Sequence, residues 1–369
     1  MNNIIPDELT NTTGVVDSLE YSVTPTSTVF GQCSGDPHII TAIVNPEPTA
    51  TDGTTEVCSG EPLDYPLQGN VDFNLQSTFV WYADDNSNVS NETLAPGTSD
   101  TLITDAPTNI SNDSETLTYH VVPSSADHGC EGDEFTVTAT IHNEPHSNLN
   151  GVDTICAETS PNYDLQAHLD NMGNGEPSNF EWIAIYTDAG IAGANDTTLT
   201  QSSIIDDVIE NTSNPGIPQT VIYEVFPEAL DHGCEGGSFT VTVTVNPLPD
   251  LGDYDTTFCS NGTIAHNLTN NMADTGNQVN STYSWTAMAD SGITGGQSGN
   301  GNIISNTIVN QTGNAGNVIY QVTAVSTEGC TGHIDNIIAT VNPEPVGNDG
   351  DTAICSGLAI DFPLQDSIT

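Results

Sequence analysis

Two short stretches gather an acid, an imidazole and a thiol within four residues: Asp127-His128-Gly129-Cys130 and Asp231-His232-Gly233-Cys234. These are the parts of a cysteine-nucleophile site, in which the imidazole takes the thiol proton and the carboxylate orients the ring. One period further on, Thr327-Glu328-Gly329-Cys330 has no His. A turn whose Cys sits in a disulfide accounts for all three stretches, and no catalytic residue is assigned. Fifty Asp and Glu also offer many carboxylate pairs for glycoside hydrolysis, yet nothing in the sequence selects one pair. Loop acids are in addition hard-cation ligands. The calcium candidates are Asp84, Asp85, Asp127, Asp206, Asp207 and Asp231, although no Asp-x-Asp-x-Asp-Gly loop is present. The competing reading of each is solvated surface charge.

The elements that would position these residues are legible from repetition. A tail motif occurs four times, at Val44-Asn45-Pro46-Glu47-Pro48, His142-Asn143-Glu144-Pro145, Val245-Asn246-Pro247-Leu248-Pro249 and Val341-Asn342-Pro343-Glu344-Pro345, its Asn residues 98, 103 and 96 apart. Cys58, Cys156, Cys259 and Cys355 follow that tail; Trp81, Trp182 and Trp285 come next, then Tyr119, Tyr223 and Tyr320. Each period closes on a Gly-Cys at Cys130, Cys234 or Cys330, with Cys33 as an earlier copy. Runs such as Phe135–Ile141 and Phe239–Val245 alternate apolar residues with Thr, the period of half-buried strands. Roughly seven such runs fall in each repeat, and no stretch has helical periodicity of helical length. The fold class is therefore all-β, one sandwich of about 100 residues per repeat, with the Trp and Tyr residues filling the space between sheets. Asn-Pro-x-Pro reads as a stiff linker, because Pro restricts itself and the residue before it.

Composition narrows function. The chain of 369 residues has 50 acids, nine His and no Lys or Arg, a formal charge of −50. Without cations it cannot neutralise phosphates or anionic lipid, which excludes nucleic-acid binding and membrane-surface docking. No window is apolar enough to insert in a membrane. Self-repulsion must be relieved by salt, protonation or divalent ions. Calcium is thus the one possible cofactor. The sequons at Asn11, Asn88, Asn109, Asn195, Asn211, Asn267 and Asn310 would be glycan sites in a eukaryotic secreted protein; here they read mostly as chance in an Asn- and Thr-rich chain.

Eight cysteines with no Cys-x-x-Cys pair argue for disulfides in an oxidising compartment and against zinc. Two pairings are open. Within repeats, Cys58–Cys130, Cys156–Cys234 and Cys259–Cys330 leave Cys33 and Cys355 over. Across linkers, Cys33–Cys58, Cys130–Cys156, Cys234–Cys259 and Cys330–Cys355 use all eight, with separations of 25, 26, 25 and 25. The first pairing is preferred because the cysteines come as one pair per repeat, although a sandwich's first turn and last hairpin lie at opposite ends.

Ile354-Cys355-Ser356-Gly357, Tyr283-Ser284-Trp285-Thr286-Ala287, Gly292–Gly295, Asn302–Thr307, Gly329–Gly332 and Val341–Pro345 together resemble the PKD-like, immunoglobulin-type repeats of surface and secreted proteins of Bacteroidetes bacteria. The resemblance covers nearly the whole chain and implies an extracellular adhesin, stalk or fibre module without catalytic residues. The lack of Lys and Arg departs from that family. Asn2–Asp7 aligns with Gly301–Asn306, so the expected division is 1–45, the later part of a sandwich; 46–143, 144–246 and 247–342, whole repeats; and 343–369, the first strands of another. The chain is then either a window of a longer array or a subunit joining others head to tail by strand complementation. The function read here is an extracellular, non-enzymatic rod or filament whose partners are copies of itself or neighbouring repeats. The alternative is a cell-surface adhesin gripping a glycan or protein through sandwich-end loops.

Overall fold

The computed structural model describes residues 4–29, 31–97, 100–186, 188–213 and 216–364. The start and end of the outer two segments, residues 1–3 and 365–369, lie outside the described residues. Two compact units are present, one of Met1–Asn148, Gln166–Asn179 and Phe226–Gly237, the other of Leu149–Leu165, Phe180–Val225 and Ser238–Thr369.

The first unit opens with an antiparallel hairpin of β1 (Asp17–Val23) and β2 (His38–Val44). The first whole repeat follows as β3 (Gly53–Cys58), β4 (Ser77–Ala83), β5 (Glu115–Ser125) and β6 (Phe135–His142), in the sheet order β3-β6-β5-β4. Every pairing is antiparallel except that of β3 with β6, which is parallel. Short ladders at Tyr65–Pro66 with Leu102–Ile103 and at Val89–Ser90 with Thr108–Asn109 make the facing layer. The Thr alternation decides which face turns inward: Phe135, Val137, Ala139 and Ile141 are buried while the Thr residues between them are half-exposed. They join Trp81, Tyr119 and Leu67 in one core.

The sheet of the second repeat runs β7-β11-β10-β8-β9, from β7 (Gly151–Cys156), β8 (Ser178–Tyr186), β9 (Thr200–Gln201), β10 (Gln219–Ala229) and β11 (Phe239–Asn246). The third repeat supplies β12 (Tyr254–Cys259), β13 (Gly262–Asn267), β14 (Ser281–Ala289), β15 (Ile293–Thr294), β16 (Gly299–Asn300), β17 (Ile303–Asn310), β18 (Gly316–Ser326) and β19 (Thr331–Asn342). Here the sandwich is complete, β12-β19-β18-β14-β16 facing β13-β17-β15 across Trp285, Tyr320 and Leu268. The first strand again runs parallel to the last in both repeats.

Helical elements depart from the strand-only reading: the first whole repeat has short 3-10 helices at Leu67–Asn70 and Asp72–Asn74. Leu165–Asn171 and Leu268–Asp274 form seven-residue helices, α1 and α2. Two turns are too short for a 3.6 period to register; α2 is marked only by Leu268 and Met272, four apart and buried, and by Asn267, whose side chain accepts the Asn270 N–H.

Four of the sequon Asn residues, Asn11, Asn109, Asn211 and Asn310, make recurring structural hydrogen bonds. Asn109 donates through Nδ2 to the carbonyls of Asp113 (2.8 Å) and Ile141 (3.0 Å), while its Oδ1 accepts the N–H and hydroxyl of Ser111. Asn310 does the same with Asn314, Val341 and Thr312, and Asn11 with Val15, Val44 and Thr13; Asn211 donates to the Ile217 and Val245 carbonyls and accepts the Ser213 N–H, while the Ser213 hydroxyl donates to the Ile217 carbonyl. Both members of Asn-x-Ser/Thr are thus used in an Asx turn that ties a loop to the last strand. The core Tyr hydroxyls make a second recurring tie: Tyr119 to Asp105 (3.3 Å), Tyr223 to Asp207 (3.2 Å) and Tyr320 to Asn306 (2.8 Å). Burial pushes the Tyr320 hydroxyl up to about 12, so it stays a donor.

Replacing Asn109 or Asn310 by Ala leaves a last-strand carbonyl without its side-chain donor. Chemical denaturation is expected to show a loss of about 1–3 kcal/mol for that sandwich, whereas Asn88→Ala, at an exposed sequon, changes stability by no more than about 0.5 kcal/mol. Equal effects at all three positions would contradict the assignment.

Candidate functional site at the repeat junctions

The parallel strand fixes where each cysteine lies. In register, Cys58 stands beside His142, Cys156 beside Asn246 and Cys259 beside Asn342. The first-turn cysteine of a repeat is therefore at the end from which the chain leaves. The register also makes His142, not Asn143, the counterpart of Asn246 and Asn342, one position off the sequence alignment. The hairpin cysteine lies at the opposite end, where the Ser125 N–H donates to the Cys130 carbonyl, with the same bond from Ala229 to Cys234 and from Ser326 to Cys330. Two residues beyond each hairpin cysteine is a Gly on which the preceding tail packs. A side chain at Gly132, Gly236 or Gly332 would collide with the carbonyl of Pro48, Pro145 or Pro249. The tail is thereby laid against the hairpin of the repeat it introduces.

The trailing end of one repeat thus meets the hairpin of the next, and the disulfides follow that meeting. In the first unit Cys58 bonds Cys234, with Cα atoms 5.6 Å apart; in the second, Cys156 bonds Cys330 at 5.5 Å. This corrects both pairings expected from sequence. The within-repeat pairing fails because its partners sit at opposite ends of one sandwich. The cross-linker pairing joins the wrong ends, taking the hairpin of one repeat to the first turn of the next. Cys130, half-buried, and Cys259 and Cys355, both exposed, carry no disulfide, and Cys33 is exposed in the leading segment.

Polar contacts complete the junction in the first unit. The rings of His142 and His232 stack at 4.2 Å, and their Nε2 atoms lie 3.3 Å from Glu56 and from Glu176 respectively. Asn143, buried, donates to the Asn112 carbonyl (3.1 Å) and to Glu176 (2.9 Å); Asn174 donates to the Glu144 carbonyl (3.1 Å). In the second unit, His333 lies 3.1 Å from Glu158. The Asp-His-Gly-Cys stretches are accordingly junction and turn: Cys234 is bonded, His232 is stacked, and the His128 N–H donates to Ser125 Oγ.

A family model described as PKD-like domain matches residues 1–48, 55–145, 153–249 and 256–345, most of the chain. The chain belongs to the PKD-like domain family. No curated protein sequence matches it. Among solved structures it is similar to the human desmocollin-1 ectodomain (11% identity over 92% of this chain and 70% of that one, TM-score 0.25), to Drosophila N-cadherin EC1-4 (9%, 90% and 84%, 0.24) and to mouse cadherin-23 EC22-24 (11%, 79% and 96%, 0.24). PKD-like domains are typically non-catalytic structural or adhesion modules.

Within the PKD-like repeats, Trp81 lies edge-on to Tyr119 (5.8 Å) and Trp182 to Tyr223 (5.5 Å), while Trp285 Nε1 donates to the Gln297 carbonyl (3.0 Å). The calcium candidates are dispersed. Asp207 accepts the Tyr223 hydroxyl and the Asn195 N–H, Asp84 lies 3.3 Å from His120, and Asp85, Asp127, Asp206 and Asp231 are exposed. Among the described residues no group of three or more His, Cys, Asp or Glu is arranged to hold a metal ion. The junction histidines were the part that sequence reasoning missed. Their signal was the His at 142, where the other tail motifs have Val, and the His of the Asp231–Cys234 hairpin.

His120 shows what an imidazole does in a chain without other cationic side chains. It lies 2.8 Å from Glu134 and 3.3 Å from Asp84, and the Glu134 carboxylate, with Asp84 beside it, raises its pKa above the usual 6.5. A raised His contributes stability that is full below its unfolded value and is lost as pH rises through the folded one. The stability difference between the wild type and His120→Gln is therefore expected to be largest near pH 5 and to vanish by about pH 8. Thermal melts of both proteins across that range check this; a pH-independent difference would refute it.

Proposed function

We propose that the chain is an extracellular, non-enzymatic structural protein, a rod or filament of PKD-like sandwiches with the boundaries 46–143, 144–246 and 247–342. Segment 1–45 is the later part of a sandwich and 343–369 the opening strands of another, and copies join head to tail through these segments. The observation that carries this reading is the pairing of first-turn and hairpin cysteines between successive repeats. Such bonds tie repeat to repeat outside the main chain, which serves a load-bearing array and has no role in catalysis. The uniform acidity keeps such an array soluble, and calcium acts on it as a diffuse counter-ion for scattered carboxylates. Trypsin-like proteases find no Lys or Arg to cut.

Electron microscopy of the native, unfractionated protein is expected to show continuous fibres with beads about 40 Å apart, one sandwich length at roughly 3.3 Å per strand residue plus loops. Single rods ending at a cell surface would replace the filament by the stalk of an adhesin. Chelation at low ionic strength is expected to lower the melting temperature; identical melts with and without calcium would remove the counter-ion role.

A further inference from the structure

The hairpin between β1 and β2 carries a peptide bond of a kind found nowhere else in the chain. Of the 21 Pro, Pro37 alone follows an Asp, in Gly35-Asp36-Pro37-His38. The turn around it is the one these repeats share. The Gly35 N–H donates to the Pro25 carbonyl (2.9 Å), as Gly132 does to Pro123 (2.9 Å) and Gly236 to Pro227 (2.8 Å). That correspondence sets Asp36-Pro37 where the whole repeats have Asp133-Glu134, Gly237-Ser238 and His333-Ile334. The hairpin thus tolerates several residue pairs at this point, and one copy holds the pair with chemistry of its own.

The surroundings of the bond suit that chemistry. Gly35, Asp36, Pro37 and His38 are all exposed, and Asp36 and Pro37 lie outside the β1–β2 ladder, which begins at His38 opposite Val23. On the other side the chain is held by the bridge between Thr26 and Ser34 and by the Ser27 N–H, which donates to the Cys33 carbonyl (2.9 Å). The Asp36–Pro37 peptide is therefore a short span between two fixed points, which limits the orientations open to the groups around it. Pro37 also makes the amide tertiary, so its nitrogen, once protonated, leaves as a secondary amine.

We propose that Asp36–Pro37 is a self-cleavage site that opens in mild acid. The Asp36 carboxylate attacks its own main-chain carbonyl carbon, and the new C–O bond closes a five-membered anhydride. The C–N bond to Pro37 breaks with its electron pair staying on nitrogen, which takes a proton from the imidazolium of His38, the next residue. Water then adds to the anhydride and leaves Asp36 with two carboxyl groups. The chain has no Lys, so no side-chain amine of its own competes with water for the acyl group. The attacking carboxylate must be ionised and the donor imidazole protonated, states that coexist between about pH 4 and 6.5 for an ordinary Asp and His. The other titratable side chains on this hairpin are Asp17, Glu20 and Tyr21 on β1 and Cys33 in the loop. Desolvation and Asp7 raise the Tyr21 pKa, so that hydroxyl stays protonated throughout the range. Cys58–Cys234 and Cys156–Cys330 both lie beyond the cut and neither spans it. The cut leaves β1 and β2 joined by strand pairing, which is weak for two strands, and so makes an acid-triggered break in a chain that gives trypsin-like proteases no site.

The test incubates the full 369-residue chain, purified and kept with inhibitors of acid proteases, at about pH 5 and reads it on denaturing gels and by mass spectrometry. Fragments 1–36 and 37–369 are expected, the second beginning at Pro37, with a rate that peaks near pH 5 and falls on either side. Hydroxylamine added to the incubation should trap the anhydride as a hydroxamate on Asp36. Asp36→Ala and Pro37→Ala, both on the exposed turn, should lower the rate roughly tenfold or more. His38→Gln should do the same at pH 5 yet leave unchanged the slow hydrolysis near pH 2 that any Asp-Pro bond undergoes, because the solvent supplies the proton there. The folded hairpin should cut roughly tenfold faster than the same chain unfolded in urea at pH 5. A rate as high in urea as in the native protein would reduce the effect to general acid lability and overturn the proposal. An intact chain at pH 5, or a cut at any other bond, would overturn it as well.

Discussion

The parallel pairing of first strand with last is the constraint from which the ends of every repeat follow. It places the first-turn cysteine beside the last residue of the closing strand, at Cys58 and His142, Cys156 and Asn246, Cys259 and Asn342. Parallel neighbours leave a strand pair at the same end. The tail that departs there is short, and its last Pro carbonyl lies on a Gly of the following hairpin. Once those two contacts are set, the two cysteines that meet belong to different repeats. A substitution that slipped this register by one residue would turn Cys58 to the other face of its sheet and break the junction.

A second constraint is the missing cations. With no Lys or Arg, the sandwiches cannot stabilise loops by ordinary salt bridges, and the recurring ties are instead hydrogen bonds without a cationic partner: Asn side chains to last-strand carbonyls, Tyr hydroxyls to Asp or Asn. Buried in a low dielectric, such bonds are strong and insensitive to salt. Among the described residues most carboxylates are left outside, Asp105 and Asp335 being buried exceptions held by the Tyr119 hydroxyl and the Leu251 N–H, and the few His are set among the outer ones, as with His120 between Asp84 and Glu134. Internal order is thereby separated from surface charge, and the fold tolerates a formal charge of −50.

Most of the fold was legible because strand patterning is local. Phe135–His142 shows its buried face in the alternation of four apolar residues with Thr, and the Trp and Tyr landmarks fall in the core of each sandwich. The helices were not legible, since a two-turn segment such as Leu268–Asp274 offers only one i, i+4 pair. Nor was the role of the sequons, because Asn-x-Ser/Thr has the same letters whether it is chance, glycan acceptor or Asx turn. The cysteine pairing depends on which ends of different repeats touch. Sequence spacing measures distance along the chain, and Cys58 and Cys234 are 176 residues apart there.

The staggered bonds also set what the chain does under tension. Along the main chain Cys58 and Cys330 are 272 residues apart, a contour of roughly 900 Å when fully extended. The loops closed by Cys58–Cys234 and Cys156–Cys330 overlap. The shortest covalent path from Cys58 to Cys330 therefore crosses one disulfide, runs back along the 78-residue separation of Cys234 and Cys156, and crosses the other. Its reach is roughly 260 Å. A within-repeat bridge would shorten each sandwich separately but leave every connection between sandwiches as a single strand. Bonds between successive repeats instead share load across the connection, where a Pro-rich segment would otherwise carry it alone, and an unfolded sandwich between them cannot pay out its full length.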